Sequence, residues 1–257
     1  MTKEQTRDLL LRTWAVQGLA TTTINKRMML LDKVGGVHAT YDTVMTYLAG
    51  VAHPNTRRTA VSFLRTTFRT LLALNVIERD PMVLVPRPKA ARWQPNPYTP
   101  AEVTLLQNNI AGCLADWFTL ALYAGLRACE ITMVEGRWLR QTADGPMLRV
   151  KGKGGTDLII PAHPKVVALL TDRCPGRLWP TMDAKLLSKQ AKRAFNKLGV
   201  EGGIHRARHT FATRVLQASD SDLLVVRDLL RHASVATVQH YVSCAPNTPR
   251  RVLESIA

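Results

Sequence analysis

From Lys3 to about Ile77 the apolar residues recur at helical spacing. Leu9, Leu10 and Trp14 share one face, and so do Leu30, Leu31 and Val34. Polar punctuation divides this stretch into four short helices. Thr21 to Thr23 are the expected N-caps of the second and Gly35-Gly36 its end, Thr40 or Asp42 opens the third, and Pro54-Asn55 opens a long fourth that runs toward Asn75. In that last helix Val61, Leu64, Phe68, Leu71 and Leu72 form an apolar face, and Arg57, Arg58, Arg65 and Arg69 a basic counter-face that suits water or phosphate.

Pro81, Pro86, Pro88, Pro95, Pro97 and Pro100 then cluster with Arg87, Lys89 and Arg92, an extended basic stretch that a helix cannot contain. The expected organisation is a helical domain over 1–85, a basic linker over 86–98 and a second domain over 99–257. The second domain opens with Thr99-Pro100-Ala101-Glu102, a cap followed by proline at the first helical position. Cys113 to Tyr123 read as a buried helix. Met147 to Lys151 and Thr156 to Ile160 read as a β-hairpin about Gly152-Lys153-Gly154-Gly155. Helices are expected again over 166–172, 184–198, 206–217, 222–230 and 235–242. The predicted fold class is mainly α with a small β-hairpin: a four-helix N-terminal domain and a mixed α+β second domain.

Charge narrows the partners. A formal net charge of +16, from 35 Lys plus Arg against 19 Asp plus Glu, is spread along 257 residues and favours a polyanion, with nucleic acid as the leading class. Cys113, Cys129, Cys174 and Cys244 form no CxxC pair, which disfavours a zinc site and a disulfide framework and fits a reducing compartment. No run approaches the roughly 20 apolar residues of a membrane span, and Met1 to Trp14 carry charges where a signal peptide has an apolar core. A cytoplasmic location without membrane contact is expected.

The chemistry must then act on phosphate without the usual nucleotide or metal motifs. There is no GxxxxGK[ST] loop, and the acidic residues do not gather as a two-metal site requires. His205 and His209 stand one helical turn apart, but Arg206 and Arg208 between them suit an anion better than zinc. Guanidinium groups stay charged and match two phosphate oxygens, as stabilisation of pentacoordinate phosphorus demands.

Ala124-Gly125-Leu126-Arg127-Ala128-Cys129-Glu130-Ile131 resembles the first box of the tyrosine recombinases. His205-Arg206-Ala207-Arg208-His209-Thr210-Phe211-Ala212-Thr213 resembles the start of the second box, and Leu229-Leu230-Arg231-His232 followed by Tyr241 its end. Lys151-Gly152-Lys153-Gly154 resembles the lysine-bearing turn between them. The resemblance covers essentially the whole chain. It implies that Arg127 and Arg208 grip the scissile phosphate and that Lys153, with Lys151 as rival, protonates the leaving 5′-oxygen. His205 would assist proton transfer or bond a phosphate oxygen, His232 would add a phosphate hydrogen bond, and Tyr241 would attack phosphorus. Glu130 and His209 would support them, and Arg57, Arg58, Arg65, Arg69, Arg87, Lys89, Arg92 and Lys151 would contact DNA. No metal and no cofactor is implied.

The same resemblance implies a two-domain clamp on duplex DNA. It also implies four copies on two sites, a Holliday junction, and a tail over about 243–257 that packs on a neighbouring subunit. The helical unit starts almost at Met1, so a separate arm-binding domain is not expected. A type IB topoisomerase and a catalytically inactive DNA-binding regulator are the alternatives. Arg231 departs from the family pattern, which has glycine before the histidine where a left-handed helix end is expected, as do Gly155 and Asp157, where basic residues are common.

Overall fold

The computed structural model describes residues 2–89, 95–152 and 157–231, with Val238 and Tyr241. Arg92, Lys153, His232, the 243–257 tail and most of the helix expected over 235–242 lie outside the described residues. The chain forms two compact units, 1–92 and 93–257.

The first unit holds helices α1 (Lys3–Val16), α2 (Thr21–Lys33), α3 (Tyr41–Ala49) and α4 (Pro54–Ala73), with a 3-10 turn at Gly36–His38. Leu10, Trp14, Met28, Leu31, Val44, Leu64, Phe68 and Leu71 fill its core, and Met82 and Val85 close it from the segment after α4. Thr40 caps α3 in a reciprocal box with Thr43, and proline takes the first position of α4. Two expectations need correction. Ala20, with no side-chain hydrogen bond, is the N-cap of α2, so Thr21 to Thr23 are its first turn and not its caps. Leu72 is 38% exposed, because residues 61, 64, 68 and 71 already define the buried stripe and position 72 falls outside it.

The second unit begins with α5 (Pro100–Asn109), capped by Thr99 and Glu102 as their spacing predicts, and continues with the apolar α6 (Cys113–Ala124) and the single turn α7 (Ala128–Ile131). Then come β1 (Leu139–Thr142), β2 (Gly145–Lys151) and β3 (Asp157–Pro161), one antiparallel sheet in that order. The register sets Leu148 against Ile160 and Lys151 against Asp157. The β2–β3 pairing follows the sequence pattern, whereas β1 was not anticipated: its four residues are mostly exposed and show no apolar alternation. Helices α8 (Pro164–Leu170), α9 (Ala184–Lys197), α10 (Ile204–Ala218) and α11 (Leu223–Leu230) follow among the described residues.

The core of this unit runs between α6, α9 and the sheet, where the Phe118 and Phe195 rings meet edge to face at 5.6 Å. The end of the proline-rich stretch is bound to it. The Tyr98 N–H donates to Thr210 Oγ1 at 2.8 Å, and the Arg206 guanidinium lies 4.3 Å from the Tyr98 ring centroid. Arg206 also donates to the Asn96 and Pro97 carbonyls and to both Glu102 carboxylate oxygens, at 2.8 and 3.0 Å. The expectation that both arginines of the 205–209 segment serve an external anion is therefore corrected. Arg206 finds its carboxylate inside the fold, because it points one side of α10 toward α5, while Arg208, two residues on, points toward α6.

Candidate active site

The site is assembled where α6, α10 and α11 end or cross. Helix α6 stops at Gly125 in the left-handed conformation, φ 59°. A Cβ there would stand 2.5 Å from the Phe211 ring and 3.2 Å from Leu230, so the reversal suits only glycine. The turn carries the chain through buried Leu126 to Arg127, the N-cap residue of α7.

Glu130 is the hub. Its carboxylate is 2% exposed and accepts from the Arg127 N–H at 2.8 Å, Arg127 Nη1 at 2.6 Å and Arg231 Nη2 at 2.8 Å, with Arg208 Nη1 3.6 Å away. Burial pushes its pKa up, but the Arg231 charge, the Arg127 N–H and the Arg208 and Arg127 charges together hold it below the usual carboxylate range. Arg127 and Glu130 thus form an ion pair. It engages one terminal nitrogen of a side chain that stays 36% exposed, so the pair and an outward-facing cation coexist.

Arg208 lies deeper. Its guanidinium donates to the Gly125 carbonyl and, at 2.8 Å, to the Leu230 carbonyl. Desolvation, chiefly, and then the Arg127 charge bring its pKa down to about 9 against the opposing pull of Glu130, which leaves it a cation at neutral pH.

The aromatic members sit beside this cluster. Tyr241 is 3% exposed and packs with Ala212, Leu216, Val226 and Leu230 between α10 and α11. Its hydroxyl oxygen is 2.6 Å from His209 Nδ1. His205, expected to assist proton transfer or bond a phosphate oxygen, is exposed on the first turn of α10, and its ring meets the His209 ring edge-on at 4.3 Å. One turn separates the two histidines on the same face, and the phenol enters at the level of the second. Desolvation and the Arg208 and Arg127 charges hold His205 below the ordinary histidine range, so it is neutral at pH 7.

Two features were not foreseen. One is the His209–Tyr241 contact. The other is Arg231, which ends α11 at φ 57° and turns its side chain inward to Glu130. Four-residue spacing from His205 was a usable signal for the first; nothing in the sequence pairs Arg231 with Glu130.

In the first unit, Arg58, Arg65, Arg69 and Arg87 line a polar cavity of about 290 Å³ with Ser62 and Thr66. Arg57 is turned elsewhere: its guanidinium donates twice to the Val51 carbonyl, at 3.1 and 2.7 Å, closing the loop before α4. Arg65 donates to the Val85 carbonyl, and Lys89 and Lys151 are exposed. No group of three His, Cys, Asp or Glu side chains that could hold a metal ion occurs among the described residues, and no described helix is long and apolar enough to cross a membrane.

A mainly helical unit with a three-stranded sheet and a buried Arg–Glu–His–Tyr cluster is thus what the chain builds, and the phage integrase family model matches it over residues 106–248, more than half of the chain. The chain belongs to that family, the tyrosine recombinases. Similar relatives include tyrosine recombinase XerC of Rhodospirillum centenum, 31% identical over 72% of this chain and 61% of that protein, and XerC of Pelobacter propionicus, 29% identical over 69% and 65%. The chain therefore spans somewhat less than two thirds of these relatives' length. Among solved structures, the integrase of mycobacterium phage Brujita aligns with 92% of this chain and 91% of its own at 27% identity and a TM-score of 0.50. Lambda integrase as a dimer bound to a core site covers 92% of this chain and 97% of its own, with 19% identity and a TM-score of 0.70; its tetramer on a Holliday junction gives 0.68 at 91% and 78%. At these identities the lambda likeness is one of fold.

Replacement of Gly125 by alanine tests the frame of the site. The left-handed backbone and the Phe211 clash together cost about 1–3 kcal/mol, and thermal unfolding is expected to occur several degrees lower, by about 2–4 °C per kcal/mol for a unit of this size. A G125A protein that melts with the parent would show that the turn tolerates a side chain.

Proposed function

We propose that this protein is a site-specific DNA recombinase of the integrase type, which cleaves and rejoins duplex strands through a 3′-phosphotyrosyl intermediate at Tyr241. The observation that carries the reading is the 2.6 Å contact between the Tyr241 hydroxyl and His209 Nδ1, buried beside the Arg208 guanidinium. A phenol of ordinary pKa near 10 is a poor nucleophile at neutral pH. His209, whose Nδ1 lies against the phenol hydroxyl, takes the phenolic proton as the oxygen attacks phosphorus. Arg127 and Arg208 hold the non-bridging oxygens and stabilise the charge that grows there, and His205 supplies a further contact from the first turn of α10.

The bond from phosphorus to the 5′-oxygen then breaks, and Lys153, with Lys151 as the rival, protonates that oxygen. His232 adds a phosphate hydrogen bond. The phosphotyrosyl link retains the phosphodiester energy, so the 5′-hydroxyl of a second strand reverses the step without a nucleotide. The basic face of α4, Arg58, Arg65 and Arg69, and the following Arg87, Lys89 and Arg92 neutralise backbone phosphates of the core site. Four copies act on two sites through a Holliday junction, with the 243–257 tail joining neighbours, in the service of a phage or other mobile element.

A nicked suicide duplex carrying the cognate site tests this reading. The expected product is a covalent protein–DNA adduct, retained on a denaturing gel, that depends on the site sequence. Equal adduct formation on any supercoiled DNA would favour a topoisomerase, and specific binding with no adduct would favour a regulator.

A further inference from the structure

Arg231 occupies a backbone conformation, φ 57°, that L side chains adopt at a cost and glycine adopts freely. Its side chain nevertheless lies 2% exposed. Burying an arginine is unfavourable unless its donors are met, and most are. Nη1 donates to the Ala124 carbonyl at 3.2 Å and the Leu229 carbonyl at 2.8 Å; Nη2 donates to the Gly125 carbonyl at 3.0 Å and Glu130 Oε2 at 2.8 Å. One guanidinium therefore ties together the end of α6, the end of α11 and the carboxylate of α7.

That placement bears on the phosphate-binding pair. Arg231 holds Glu130 Oε2 at 2.8 Å, while Arg208 stands 3.6 Å from the same oxygen. The closer cation takes the larger share of the carboxylate's charge. Arg208 is fixed by the Gly125 and Leu230 carbonyls. The Gly125 carbonyl is shared by Arg208 and Arg231, so a shift of one guanidinium displaces the other's acceptor.

We propose that Arg231 is a positioning residue for strand cleavage, which sets Arg127 and Arg208 for the scissile phosphate by holding Glu130 and the Gly125 turn in place. The proposal rests on the recombinase reading above. Without Arg231, the Glu130 carboxylate draws Arg208 inward and the two phosphate-binding guanidiniums no longer converge.

The test compares single-turnover adduct formation on the suicide duplex by the parent protein, R231G, R231K, E130Q and the E130Q/R231G double variant, with duplex binding and thermal unfolding measured on each. Glycine suits the backbone at this position, so R231G removes the guanidinium without adding strain. Cleavage by R231G is expected to slow by about 10- to 100-fold, the effect of misplacing a reacting group by about 1 Å. Duplex affinity should stay within about threefold, so that the loss lies in the chemical step. R231K should recover part of the rate, since an ammonium reaches Glu130 but does not span the three carbonyls. The double variant should cleave no more slowly than E130Q alone, and it also removes the unpaired carboxylate should R231G fold poorly. A lowered melting temperature with parental cleavage well below it, or fully additive losses in the double variant, overturns the inference alone. A parent protein that forms no adduct overturns this inference and the recombinase reading together.

Discussion

Replacement of Tyr241 by phenylalanine is expected to abolish the covalent adduct, with strand cleavage falling by at least on the order of 10⁴-fold, as for the loss of other enzymic nucleophiles. The substitution deletes one oxygen from a side chain that packs against Ala212, Leu216, Val226 and Leu230. The ring remains to fill that space, so the fold and DNA binding should persist. His209 loses its 2.6 Å neighbour, a cost to stability of about 1 kcal/mol. Denaturing gels with end-labelled duplex, alongside mobility shifts, separate the two effects. Residual adduct in Y241F would place the nucleophile elsewhere and sink the proposed mechanism. The companion change His209→Ala should slow cleavage more than His205→Ala, because of these two rings it is His209 that lies against the phenol hydroxyl.

Glu130→Ala is expected to give the largest loss of stability in the second unit, about 3–5 kcal/mol, the range for removing one partner of a buried ion pair. Arg208 and Arg231, each 2% exposed, would be left with their charges buried and the shared carboxylate gone. The same group imprints a pH dependence. The folded-state pKa of Glu130 is depressed, so its stabilisation is fully present above the ordinary carboxylate value of about 4.3 and is lost as pH falls through the lower folded value. Denaturant unfolding followed from pH 7 downward should show an acid-labile arm in the parent that is reduced in E130A. An E130A protein within about 1 kcal/mol of the parent at pH 7 would mean that the carboxylate's desolvation cancels its three partners.

Much of the fold was legible because it rests on local rules. The Thr99-Pro100-Glu102 start of α5, the Pro54 start of α4 and the span of α9 all follow from caps and apolar period, and they are present where expected. The β2–β3 pairing was readable from two apolar runs about a glycine-rich turn. Strand β1 was not, since its polar residues gain their place by pairing with β2 and not by any pattern of their own. Thr21 to Thr23 misled because threonine, though favoured as a cap, is also tolerated in the first helical turn.

The order of Arg127, His205, Arg208, His209, Arg231 and Tyr241, and the kind of chemistry such groups allow, is determined by the sequence alone, because side-chain type and helical spacing are local properties. Which partner each group takes was decided by the tertiary structure. Arg206 turned to Glu102, Arg231 to a carboxylate 101 residues away, and the Tyr241 hydroxyl to His209. The physical reason is that buried charges and hydroxyls must be satisfied by whatever groups packing brings within about 3 Å. Separation along the chain carries no record of that distance until the helices have closed around it.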